Sequence, residues 1–260
     1  MSRTGSGESV ISRVVRIFEA FTSSRRALTV TELSRLSGLH IATASRLVAE
    51  LVSHGLLTRT ADGRVLVGMR MWELAQRASP TLALREAAMP YLEDLHAVVG
   101  HHVQLGVVDG AEVLFLERLS APVAVVNVTP IAGRLPLHVS ASGLVLVAFG
   151  PPELQERMLA GARERLTAHT LTDQEHLRRV LAGIRRDGYI VTNGHVHPDA
   201  SGIAVPIRDA RDAVVAALSV IVPNDGQAFA WIPVLRASAR GIARGLGARP
   251  AGAAKNPLIQ

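Results

Sequence analysis

Three groups of residues in this 260-residue sequence have types and spacings that could do chemistry. Thr43, Ser45 and Arg46 would lie on one polar helix face. With Arg59 and Arg64 further along, they offer hydroxyls and guanidinium groups suited to phosphates and base edges. His195-x-His197 with Asp199 presents three potential metal ligands at alternate positions, which a strand would point to one face. Val139-Ser140-Ala141-Ser142-Gly143 beside His138 puts hydroxyls near an imidazole, the ingredients of a serine hydrolase.

The second and third groups carry little. There is no cysteine, hence no thiolate zinc site, and no third histidine lies close in sequence, so a loop with hydrogen-bonded imidazoles accounts for His195 and His197. No metal is therefore expected. The serine run lacks the G-x-S-x-G elbow that would expose a nucleophile. Neither G-x-G-x-x-G nor G-x-x-x-x-G-K-[ST] occurs, so no nucleotide cofactor is expected either. A hydrolase-like enzyme with an incidental basic N-terminal segment stands as the alternative reading.

The first group gains from its surroundings. Residues 1–80 hold 11 basic and 6 acidic side chains, whereas residues 81–260 hold 17 and 16. That asymmetry suggests a small module for a polyanion joined to a near-neutral module with another task. Hydrophobic residues make up 48% and charged residues 19%, a globular composition. The apolar run from Ala213 to Val222 ends at Pro223 and is too short to cross a bilayer. No apolar signal core follows Met1, so a cytoplasmic location is expected.

The elements that must position Thr43, Ser45 and Arg46 follow from periodicity. Val10, Ile11, Val14, Ile17, Phe18 and Phe21 recur at the spacing of one helix face, with Ser9 as cap. Thr29-Val30-Thr31-Glu32 fits a capping box. Gly38 suits a sharp turn. Ala44, Leu47, Val48 and Leu51 then pack on one side of a second helix. Helix, glycine turn, helix is a helix-turn-helix arrangement, which an ordinary helical hairpin with a solvated polar face would imitate. Gly55 closes the helix, and Leu56–Arg59 and Arg64–Val67 flank Ala61-Asp62-Gly63 as a hairpin. Such a wing would carry Arg59 and Arg64 to the DNA backbone.

Residues 69–80 read as a linker helix, broken at Ser79-Pro80. Beyond it, Val103–Val108 and Glu112–Arg118 flank Asp109-Gly110 as a second hairpin, with Val123–Val128 a candidate neighbour. Helices are expected over Ala141–Phe149, Pro152–Leu159, Asp173–Arg186 and Trp231–Gly245. Strands are expected over Tyr189–Thr192, Gly202–Ile207 and Val214–Val222. Hairpins with helices collected elsewhere argue for an α+β domain on an antiparallel sheet. The expected organisation is a flexible arm (1–9), a winged helix-turn-helix domain (10–68), the linker helix (69–80), an antiparallel-sheet domain (81–248) and a tail (249–260).

An ordered set of short motifs runs through the chain. It comprises Leu28-Thr29-Val30-Thr31-Glu32-Leu33-Ser34 with Ser37-Gly38-Leu39, Thr43-Ala44-Ser45-Arg46-Leu47, and Gly133-Arg134-Leu135-Pro136-Leu137-His138 with Ala141-Ser142-Gly143. Ile184-Arg185-Arg186-Asp187-Gly188-Tyr189, Ile203-Ala204-Val205-Pro206 and Ala216-Ala217-Leu218-Ser219 complete it. With these the chain resembles the IclR-type bacterial transcription regulators, in which a winged helix is joined to a GAF-like ligand-sensing domain. The resemblance implies a DNA-binding repressor rather than an enzyme. It further implies a homodimer or homotetramer on double-stranded operator DNA, with affinity modulated by a small organic effector.

Thr43, Ser45 and Arg46 would then be the leading DNA-reading residues. The effector pocket would be lined by Ala124, Asn127, Ala141, Ser142, Thr192, Gly202, Ser219 and Ile221. Where many members have an aspartate, a cysteine and the second serine of a Ser-x-Ser pair, this chain has Thr192, Gly202 and Ile221. The expectation is a roomier, less polar pocket than one for a two- or three-carbon keto acid. An aromatic or amide-like effector would fit it, oriented by Ser142, Thr192 or Ser219.

Overall fold

In the computed structural model, residues 8–22, 24–77, 79, 81–122, 124–125 and 132–247 are described. The chain divides into two compact units, Met1–Pro80 and Thr81–Gln260.

In the first unit, α1 (Val10–Glu19) is capped by Ser9, whose hydroxyl accepts from the Ser12 N–H. It ends two residues before Phe21, which packs against the same core from outside the helix. α2 (Val30–Ser37) begins with the reciprocal capping box. The Thr29 hydroxyl accepts from the Glu32 N–H and the Glu32 carboxylate accepts from the Thr29 N–H, which holds that carboxyl below its ordinary pKa. Gly38 ends α2 at φ 64°, a conformation that costs glycine no Cβ clash. α3 (Ile41–Ser53) follows, capped by the His40 ring. Ala44, Leu47, Val48 and Leu51 are buried against Ile17 and Leu33. β1 (Leu57–Arg59) and β2 (Val65–Val67) pair antiparallel, and Leu28 bridges to Val65 from the other side. α4 (Met69–Arg77) buries none of its residues.

The second unit is built on a six-stranded sheet. After α5 (Leu82–Val99) come β3 (His102–Asp109), β4 (Glu112–Leu119) and β5 (Arg134–Pro136). Next are α6 (Ala141–Phe149), α7 (Pro152–Ala160) and α8 (Gln174–Asp187). β6 (Ile190–Asn193), β7 (Ala200–Arg208), β8 (Val214–Pro223), a short 3-10 turn at Ala228–Trp231 and α9 (Ile232–Gly245) complete it. The strand order is β5-β4-β3-β8-β7-β6, and every pairing is antiparallel. Most of the expected Val123–Val128 strand lies outside the described residues.

The two faces of the sheet differ by the alternation of side chains along each strand. Val103, Leu105, Ile203, Val205, Leu218 and Val220 face a core closed by α5 and α9. On the opposite face the central strands carry small or polar residues instead: Gln104 and Gly106 on β3, Gly202 and Ala204 on β7, Ala217 and Ser219 on β8. Small residues let a helix approach closely, and α6, buried from Ala141 to Ala148, packs there. A Cβ at Gly143 would run into the Leu137 carbonyl. Only glycine admits that approach.

Candidate functional site

Two surfaces follow from these elements, one in each unit. In the first unit Ser45 and Arg46 are exposed on α3 and Thr43 is half-buried near its start. The apolar face of α3 is spent on the core, so these polar residues face outward by helical geometry. Arg46 makes no hydrogen bond or ion pair among the described residues. On the wing, the Arg59 guanidinium donates to the Gly63 carbonyl at 3.4 Å. Arg64 donates to the Ala27 carbonyl at 3.2 Å and sits 3.6 Å from Asp62. Arg64 thus ties the wing to the segment before α2, and Arg59 reaches back to the wing turn, while Arg46 stands clear of any partner among the described residues.

The second surface is a cavity between the small-residue face of the sheet and the first turn of α6, enclosing about 490 Å³ of empty space with its mouth included. It brings together Ala141, Ser142, Thr192, Gly202, Ser219 and Ile221. These come from α6, β6, β7 and β8, and the cross-strand register explains the meeting. Thr192, Gly202 and Ile221 are consecutive partners across β6, β7 and β8. Ala124, in the turn after β4 where its N–H donates to the Ala121 carbonyl, is not part of the wall. Asn127 lies outside the described residues.

Hydroxyls in this wall are partly committed. Ser142 donates to Ser219 at 2.8 Å, which leaves the Ser219 hydrogen free to turn inward. Thr192 donates to the Gly202 carbonyl at 3.2 Å. A Cβ on Gly202 would lie 2.9 Å from the Thr192 hydroxyl oxygen and 3.6 Å from Ile221 Cδ1. The space that glycine leaves is therefore taken up by its neighbours and adds little room. Ser140 caps α6 through the Gly143 N–H at 3.0 Å. The N–H groups of Ala141 and Ser142, in the first turn, keep no intrahelical acceptor.

Sequence reasoning missed part of the wall. Gln104 and Phe115 enter from β3 and β4, Leu135 from β5, and His195, Val196 and His197 from the β6–β7 hairpin. The only signal for Gln104 was a polar residue at an otherwise apolar strand position. In sequence His195 is a candidate metal ligand. Among the described residues, no group of three or more His, Asp or Glu side chains is placed to hold a metal ion. Burial, with the charges of His169 and His176, pushes the His195 pKa down to about 4.

The remaining histidines near the site brace it. His102 is buried, with Nδ1 2.9 Å from the Ser120 hydroxyl and Nε2 against the Val125 carbonyl. Burial lowers its pKa as well. His101 accepts from the Val125 N–H at 3.4 Å. His138 is held 2.8 Å from the Glu164 carbonyl. Ser140 and His138 thus have structural partners, and the arrangement of a nucleophile with its base is not formed.

Comparison with known proteins places both units. Residues 10–61 match the IclR helix-turn-helix domain and residues 76–244 match the bacterial transcriptional regulator IclR C-terminal domain. A crystal structure of an IclR homologue from Microbacterium hydrocarbonoxydans complexed with 4-hydroxybenzoate is 44% identical. Its TM-score is 0.87, over 92% of this chain and 99% of that one. An IclR homologue from Microbacterium sp. strain HM58-2 is 43% identical, with a TM-score of 0.62 over 94% and 100% of the two chains. The HTH-type transcriptional regulator XynR of Escherichia coli strain K12 is 29% identical over 212 residues, 81% of this chain and 84% of that protein.

Proposed function

The chain belongs to the IclR family of bacterial transcriptional regulators, and on that premise we propose that it is a repressor released from operator DNA by a small aromatic carboxylic acid. The observation that carries the effector class is the chemistry of the cavity wall. Phe115, Leu135 and Ile221 offer apolar surface to a ring, and neither lysine nor arginine lines the cavity among the described residues. The first turn of α6 offers the free N–H groups of Ala141 and Ser142 at the positive end of a helix, where a carboxylate is stabilised. A keto acid of two or three carbons would leave the apolar wall unfilled. The 4-hydroxybenzoate bound by the Microbacterium hydrocarbonoxydans homologue supports the same class.

The rest of the reading follows the two units. Residues 10–68 form the DNA-binding domain, residues 69–80 the linker helix and residues 81–248 a GAF-like effector domain, in a cytoplasmic homodimer or homotetramer. Thr43, Ser45 and Arg46 read base edges, and Arg59 and Arg64 face the backbone near the wing. Effector binding shifts the population toward an arrangement in which paired recognition helices no longer match half-sites about 34–36 Å apart. Footprinting upstream of the protein's own gene, with isothermal titration of 4-hydroxybenzoate, benzoate, glyoxylate and pyruvate, tests this. The expected result is a footprint that fades with the aromatic acids and measurable heat for those alone. Tighter binding of the keto acids overturns the effector class, and a footprint strengthened by the effector overturns release.

A further inference from the structure

Four side-chain nitrogens among the described residues are sealed from solvent without a hydrogen-bond partner, and two of them belong to the wall of this one cavity: Gln104 Nε2 and His195 Nδ1. Gln104 is only 2% exposed. Buried polar groups in folded proteins are nearly always paired, because an unpaired one forfeits its hydration without return. Two orphans on one cavity therefore point to partners that arrive with a ligand.

Their positions differ in a useful way. Gln104 sits on β3, opposite Ser219 of β8, on the side of the cavity where Phe115 and Leu135 supply apolar surface. His195 follows β6, three strands along the sheet from β3. There Gly202 and Thr192 pack beneath Ala141 in the first turn of α6. β3 and β6 are three inter-strand spacings apart, about 14 Å at the usual spacing. The cavity thus has an unpaired imidazole on its β6 side and an unpaired amide on its β3 side.

The charged and titratable groups around His195 are all of one kind on the packed side. His169 and His176 bear on it from the segment before α8 and from α8 itself. On its own hairpin His197 lies 3.9 Å from Asp199. Among the described residues no acid is paired with the His195 imidazole. A ligand carboxylate held by the α6 terminus would be the anion that completes it.

Resting on the aromatic-acid reading above, we propose that Gln104 and His195 are the specificity-determining residues of this cavity. His195, with the α6 N-terminus, receives the carboxylate of the ring, and the Gln104 amide donates to an oxygen substituent at the opposite, para, end. The ligand class is therefore a para-hydroxylated benzoic acid rather than an aromatic acid in general.

The test is isothermal titration of the full-length protein with 4-hydroxybenzoate and benzoate. The variants are Gln104→Leu, Gln104→Met and His195→Leu, with thermal unfolding to verify that each is folded. The wild type is expected to prefer 4-hydroxybenzoate by tenfold or more, since a site built around an unpaired donor rejects the analogue that leaves it unpaired. Both Gln104 variants, which remove the amide donor, should bring the two ligands within about twofold of each other, chiefly by weakening 4-hydroxybenzoate. The methionine variant keeps the length of the side chain without its donor if leucine does not fold. His195→Leu should weaken both acids by a similar factor, about tenfold or more, and leave the preference intact. A preference that survives both Gln104 changes, or a wild type that binds both acids equally, overturns the assignment while leaving the aromatic-acid reading standing. Absence of heat with either acid on folded wild type overturns both.

Discussion

His195 shows how one side chain links the cavity to stability. Its ring is desolvated among two other histidines, and its pKa falls from 6.5 to about 4. The folded state therefore prefers the neutral imidazole, and between those values the unfolded chain binds more protons than the folded one. Stability is highest above the unfolded pKa and is lost as pH falls through this window, by a loss approaching roughly 3 kcal/mol near pH 4. His102, whose pKa burial also lowers, adds to the loss in the same direction. Urea unfolding at pH 7.5 and pH 5 should show the effector unit destabilised at the lower pH. In His195→Gln, which cannot titrate, that difference should shrink while the contribution of His102 remains. An unchanged difference would mean that His195 is charged in the folded protein.

At the level of elements, recognition helix and wing should fail differently when damaged. Arg46 projects from α3 with no partner among the described residues, and an arginine reading a guanine edge discriminates by about 1–3 kcal/mol. Arg59 ends β1, and the phosphate contact proposed for it would contribute the same to every sequence. Arg46→Ala should abolish the footprint yet leave weak, salt-sensitive retention of any duplex. Arg59→Ala should weaken all DNA alike and lower the slope of log affinity against log salt by about 1 per wing. Gel shifts on operator and scrambled duplexes over a salt series separate the two. These elements were legible because their signals are local. The Thr29–Glu32 box, the left-handed Gly38 and the Ala61-Asp62-Gly63 turn each lie within a few residues of what they shape. The cavity was legible only in part. Ser142, Gly202 and Ser219 came through motif resemblance, whereas Gln104 looks in sequence like one polar residue among His102, Val103 and Leu105. Only the register that sets it against Ser219, with α6 closing over the sheet, makes it a wall residue. The same holds for His195, which joins the wall because the β6–β7 hairpin returns over the sheet, a non-local fact that a His-x-His spacing cannot carry.

At the level of the whole molecule, charge and cavity are divided between the units, with 11 basic against 6 acidic residues in the first 80 and near balance in the rest. On the proposed function the polyanion and the small acid would not compete for one surface, and any influence of one on the other would be a coupling free energy between separate sites. Such coupling is reciprocal. If the aromatic acid weakens operator affinity by a given factor, operator DNA must weaken the affinity for the acid by the same factor. For regulators the factor is commonly about 5–150-fold, and the same sign governs thermal stability. Saturation with the acid at a hundred times its dissociation constant should stabilise the free protein by about 2.7 kcal/mol. The gain should be smaller when operator is already bound, because DNA holds the population in the form with the lower ligand affinity. Titrating 4-hydroxybenzoate into the protein alone and into the protein saturated with operator measures both arms of the cycle. Equal affinities in the two titrations, with a footprint that the acid leaves unchanged, would show that occupation of the cavity does not control operator binding.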